Sequence, residues 1–191
     1  MKRAAILFLL AFSCAHAAPK PRPDLNTELL AMADADQRIL KQEFKEPQNQ
    51  ALRDEFHAQN RAQVTRLREI IREVGGWPGK SITSEKGSAA AWTILQHADP
   101  EVLHEFVPMM ERAAKEGELS FGLVATTIDR DRIHEGKRQI YGTQFDTRAD
   151  KCEPMPLDDP EHIDDRRREA GLGPLKEYAD QLCALFKGNK K

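Results

Sequence analysis

The stretch from Ser88 to Leu95 reads Ser-Ala-Ala-Ala-Trp-Thr-Ile-Leu and offers no charged face. A helix that is small or apolar on every side has to be enclosed by other elements. The segment from about Gly87 to Ala98 is therefore expected to be the central helix of a domain. The rest of the chain must then supply helices long and amphipathic enough to cover it.

Those helices are legible in the periodicity. Leu25, Leu29, Met32, Ala33, Leu40 and Phe44 recur at helical spacing, which predicts a first helix over about Leu25 to Lys45, with Asp24 or Asn26 as its cap. Leu52, Phe56, Leu67, Ile70 and Val74 predict a second helix over about Gln48 to Val74, ended by Gly75-Gly76. Asp99-Pro100 opens a fourth, which Pro108 is expected to kink. A fifth runs from about Glu118 to His134. Arg138 to Phe145 and Cys152 to Leu157 read as two short strands of a hairpin. A short helix after Asp159-Pro160 and a last one from Pro174 to Phe186 complete the chain. The expected fold is mainly α: a single helical domain of six or seven helices over residues 24–187, with a short β-hairpin in the C-terminal third and a tail over 188–191.

Ahead of it, Lys2-Arg3, the apolar run Ala4 to Phe12 and Ala15-His16-Ala17 have the form of a secretory signal peptide over residues 1–17. Residues 18–23, with three prolines, form a tether. The expected destination is the periplasm or the exterior. Lipidation at Cys14 is the alternative, disfavoured by Phe12 where such motifs carry a small residue. No later stretch is long enough to span a bilayer. The chain has 29 basic and 31 acidic residues, and loss of Lys2 and Arg3 makes it more acidic, so nucleic acid is not an expected partner. Its one basic run, Arg166-Arg167-Arg168, is flanked by acids and reads as a solvated helix face. The exported chain would keep Cys152 and Cys183, an even count that allows a disulfide. Two buried thiols are the other reading. The histidines show no paired ligand spacing, so no metal site is expected, and no cofactor is implied.

The chemistry has to come from polar residues placed where the pattern asks for apolar ones. Asp36 interrupts the first helix's stripe between Leu29 and Leu40. Gln59 and Gln63 do the same on the second helix, with Asn60 at the stripe's edge. Gln96 and His97 end the enclosed third helix, and Arg130 follows Leu123 and Thr127 on the fifth. Alternation would put Gln139, Tyr141 and Thr143 on one face of a strand, with Gly142 marking a bulge or a close approach.

Gly76-Trp77-Pro78, Ala90-Ala91-Trp92, Gln96-His97-Ala98-Asp99, Asp129-Arg130, Gln139-x-Tyr141-Gly142-Thr143-Gln144, Pro156-Leu157-x-Asp159-Pro160 and Arg166-Arg167, in that order, resemble an uncharacterised bacterial domain family. The likeness runs from about Met32 to Tyr178, and Ser84 stands where the pattern has glycine. The family has no assigned reaction, so the resemblance implies no mechanism. Two functions stay open. In one, Asp36 pairs with His97 to make a catalytic base, hydrolysis by an activated water being its simplest use. Arg130 then holds an anionic group of a small molecule or peptide, and Gln96, Gln139, Tyr141 and Gln144 orient it. In the other, the chain is a non-enzymatic envelope protein that binds a protein partner, and the same groups form a structural network.

Overall fold

The computed structural model describes residues 20–147 and 151–188. The signal peptide with Cys14, the first residues of the tether and the tail beyond Gly188 lie outside them. Seven α-helices are described: α1 (Pro23–Lys45), α2 (Gln50–Val74), α3 (Glu85–Gln96), α4 (Pro100–Lys115), α5 (Phe121–His134), α6 (Ile163–Glu169) and α7 (Leu175–Gly188). Between α5 and α6 lie two two-residue strands, β1 (Phe145–Asp146) and β2 (Glu153–Pro154), paired antiparallel, then a 3-10 turn over Pro160–His162.

α3 is the central helix. It packs against α1, α2, α4 and α5, and Ala91, Ile94 and Leu95 are wholly buried. Around it close Leu25 and Leu29 of α1, Leu67 and Ile70 of α2, Leu103 and Met110 of α4, and Val124 of α5. The approach of α1 to α3 is close enough to require glycine. A Cβ on Gly87 would stand 2.4 Å from Asn26 Oδ1 and 2.8 Å from Thr83 Oγ1. Ser84 caps α3, accepting from the Gly87 amide at 3.0 Å and donating its hydroxyl to Asn26 Oδ1 at 2.6 Å. Trp77 is a core anchor whose Nε1 donates to Ser88 Oγ at 2.8 Å.

Several details differ from the sequence reading. α1 starts at Pro23, so Asp24 and Asn26 lie inside the helix and Arg22 is the cap residue. Ile39 takes the buried position expected for Leu40, and Phe44 is exposed. At about 100° per residue, Phe44 has rotated away from the face that carries Leu29 and Asp36. Asn49 caps α2 by accepting from the Leu52 amide at 3.1 Å, and α4 continues through Pro108. The two strands are far shorter than expected. Residues 139–144 form a loop whose two ends touch the β2 side, Gln139 through a parallel bridge to Leu157 and Gln144 through its carbonyl, which accepts from the Met155 amide at 2.9 Å.

Candidate functional site

Asp36 lies in the seam between α1, α2 and the C-terminal end of α3. It has no exposed surface. Its Oδ2 accepts from His97 Nδ1 at 2.7 Å and from Gln37 Nε2 at 3.1 Å. A carboxylate acceptor places the hydrogen of a neutral imidazole on Nδ1, leaving Nε2 with its lone pair. Among the described residues Nε2 makes no hydrogen bond, and the His97 side chain is 20% exposed. The ring of Phe56 lies 5.4 Å from the imidazole, tilted by 60°.

The helix register brings more polar groups to this seam. Arg66 of α2 bonds Glu28 of α1 at 2.6 Å, and one turn back Gln63 Nε2 donates to the Met32 carbonyl at 2.7 Å. A further turn places Gln59 opposite Asp36. Asp36 Oδ1, Gln59 Nε2 and Gln63 Oε1 are buried and make no hydrogen bond among the described residues. Natural proteins leave few such groups, so three along one seam mark a place built for something polar. Asn60, at the edge of the expected stripe, is buried and donates to the Ile94 carbonyl at 2.9 Å.

On the other side of the α3 terminus, Arg130 of α5 donates through Nη1 to the Gln96 carbonyl at 2.5 Å and through Nε to Gln144 Oε1 at 3.3 Å. Gln96 Nε2 donates to Thr127 Oγ1 at 2.9 Å, and that hydroxyl also accepts from Trp92 Nε1 at 2.9 Å. Arg130 has no carboxylate partner among the described residues, and burial pulls its guanidinium below the ordinary range. The negative end of α3 supplies part of its compensation.

The segment Gln139 to Gln144 is a loop clasped from both sides. From α5, Asp129 accepts from the amides of Ile140 (2.6 Å), Tyr141 (3.0 Å) and Thr143 (2.9 Å) and from the Thr143 hydroxyl (2.9 Å). From α6, Arg166 Nε donates to the Ile140 carbonyl at 2.9 Å and Arg167 Nη1 to the Tyr141 carbonyl at 2.7 Å. Amides converge on an anion and carbonyls on two cations, so the middle of the loop, Ile140 to Thr143, is held by side chains, and only Gln139 and Gln144 bond the neighbouring backbone. Gly142 adopts a φ of 67° at the turn, and a Cβ there would stand 2.9 Å from Leu175.

This clasp overturns the solvated-face reading of the basic run. Arg167 is 2% exposed and its guanidinium lies 5.0 Å over the Tyr178 ring. It falls four residues after buried Ile163 and three before buried Ala170, the spacing that could have disclosed it. Arg166 is partly buried, and Arg168, 74% exposed, alone fits the expectation.

The structure therefore divides the sequence-selected residues. Asp36 and His97 form a pair. Gln96, Arg130 and Gln144 meet at the end of α3. Gln139 is fully buried and spent inside the loop: its Oε1 accepts from the Gln144 amide at 2.9 Å, and its Nε2 donates to the carbonyls of Gln144 (3.0 Å) and Met155 (2.7 Å). Tyr141 stands apart, edge-on to Phe121 at 6.0 Å, its phenol pushed up by burial. With Arg166 and Glu169 these two rings line a separate hollow of about 340 Å³. Cys152 and Cys183 form a disulfide, their Cα atoms 5.7 Å apart.

Compared with known proteins, residues 23–189 match the model of a family described as being of unknown function. No curated protein and no solved structure matches.

Proposed function

This chain belongs to the DUF6624 family, a family of unknown function, and from its own residues we propose that it is an exported protein that binds a small polar molecule or peptide beside His97. The Asp36–His97 pair is its base, and hydrolysis is the chemistry. The observation that carries this reading is the pair itself: a wholly buried carboxylate holds Nδ1 at 2.7 Å, while Nε2 has no hydrogen bond among the described residues and the side chain is partly exposed. That division of labour suits an imidazole that takes a proton from water through Nε2 and returns it to the leaving group. The water oxygen would bond to an electrophilic carbonyl or phosphoryl centre, and the bond to the leaving group would break. Arg130 is the candidate for holding an anionic group of the ligand. Its Nη1 sits on the carbonyl just before His97, and among the described residues it has no carboxylate partner. The Cys152–Cys183 disulfide supports export, because such bonds persist in oxidising compartments.

The test is a screen of the wild-type chain against aryl esters, phosphodiesters and peptide amides, beside His97→Ala and Asp36→Asn. The expected result is turnover of one class and a loss of about 10²–10⁴-fold in His97→Ala, the range for a positioned base. Equal rates in wild type and His97→Ala, or no turnover of any class, would remove the dyad from a catalytic role.

The saturated clasp of Asp129, Gln139, Arg166 and Arg167 favours a second reading. Here the polar groups fix a rigid envelope protein that recognises a protein partner. Thermal unfolding separates the two. If the dyad is structural, Asp36→Ala and His97→Ala both lose about 2–5 kcal/mol, as expected when a buried pair is broken. If it is functional, the melting temperature holds or rises.

A further inference from the structure

His104 lies in the first turns of α4, and Asp131 and Glu135 lie one turn apart at the end of α5. Spacing along the chain hides their relation, since His104 and Asp131 are 27 residues apart. In the fold, one ligand atom from each of the three comes within 4.8 Å of the others. They stand at the edge of a cleft of about 300 Å³ that Glu101 and His134 also line. We infer that His104, Asp131 and Glu135 form a binding site for a divalent first-row transition ion of the zinc type.

The strongest argument is the state of Asp131. Its side chain is 10% exposed, and both carboxylate oxygens turn toward His104 Nδ1, at 3.1 and 3.0 Å. Among the described residues its side chain has no other hydrogen-bond partner. One N–H is thus shared between two oxygens of a nearly buried carboxylate. A divalent cation in place of that hydrogen would compensate the carboxylate more fully. The donor set, one imidazole nitrogen and two carboxylate oxygens, is one that zinc accepts, and an open fourth position is usual where three protein ligands bind. The negative end of α5 adds to the attraction for a cation.

Ligands at about 2.0–2.2 Å from zinc stand roughly 3.3–3.6 Å from one another in a tetrahedron. The three side chains therefore have to close slightly. Glu135 is exposed, and among the described residues its carboxylate is held only by Lys137 Nζ at 2.8 Å, so it is the group able to swing inward as Lys137 releases it. Metal binding would join the first turns of α4 to the last turn of α5.

The experiment is calorimetric titration of the untagged full chain with Zn²⁺ alone, with Co²⁺ absorption as an independent readout of nitrogen and oxygen ligation. We expect one saturable site, a rise in melting temperature with Zn²⁺, and at least a tenfold weaker site in His104→Ala and in Asp131→Asn. His97→Ala should bind as wild type does. The His104 side chain is 64% exposed, so its alanine variant should fold, and circular dichroism verifies this. If Asp131→Asn fails to fold, Glu135→Gln replaces it, with the same weakening expected. No saturable binding up to about 100 μM Zn²⁺, or an affinity unchanged in His104→Ala, would overturn the site. Neither result bears on the Asp36–His97 proposal, which is read by turnover.

Discussion

Asp129 and Asp36 are both carboxylates without exposed surface, and their surroundings set them apart. Asp129 is saturated, with three backbone amides and a hydroxyl as donors. Asp36 keeps one oxygen without a partner among the described residues. A saturated buried carboxylate organises structure, and removing it strands every donor at once. Asp129→Ala should therefore destabilise by about 2–5 kcal/mol, read as a shift in the urea midpoint. A midpoint within error of wild type would mean that the loop is held without Asp129, by Arg166, Arg167 and the Gln139 side chain. Gly142→Ala reaches the same loop by another route. Its positive φ and the 2.9 Å approach of Leu175 should cost about 1–3 kcal/mol, the range for a residue forced into a sparsely populated backbone region.

At the scale of elements, helix existence and order were legible because each stripe is long. The enclosed character of α3 followed from eight residues without a charge. Asp36 was visible because it breaks a stripe, and His97 because it ends the enclosed helix. The loop over 139–144 was misread for a physical reason: alternating polar and apolar residues signal a strand only if the backbone pairs with backbone. Here only the ends, Gln139 and Gln144, pair with backbone, while side chains far off in sequence, Asp129 and Arg167, hold the middle, and nothing local records it. The α1–α2 hairpin gives the clearest test at this scale. Arg66 donates to Glu28 across the two helices and to Glu69 and Glu73 on its own. The Arg66 guanidinium beside Glu28 holds that carboxyl below the ordinary range. A depressed folded-state pKa contributes stability that is present above the unfolded value and is lost as pH falls through the folded one. Arg66→Ala should lower the melting temperature at pH 7 and lose less on acidification to pH 3 than wild type does. Because both side chains are about one-third exposed, high salt should shrink the difference. Parallel acid profiles for the two proteins would dismiss the bridge as a contributor.

Taken whole, the molecule is a bundle of α1 to α5 with a C-terminal annex joined to it through polar contacts. α7 packs on α6, and its Tyr178 reaches the loop through a bond from its hydroxyl to the Thr143 carbonyl at 3.3 Å. The Cys152–Cys183 disulfide, spanning 31 residues, ties α7 to the chain entering β2. In a chain-entropy treatment a loop of that size is worth about 3–4 kcal/mol. The annex has few core residues of its own, so the loss should appear there first. Reduction, or the pair Cys152→Ser and Cys183→Ser, should speed amide exchange along α7 while α3 stays protected. The same measurement bears on export. Protein sent out of the cell should begin at Ala18 and show the slow α7 exchange of the oxidised form. A version lacking residues 1–17, kept in a reducing cytoplasm, should show the fast exchange of the reduced one. Recovery of the intact leader on cell-retained protein would defeat the export reading. Equal α7 exchange in both forms would show instead that the clasp, rather than the disulfide, holds the annex to the bundle.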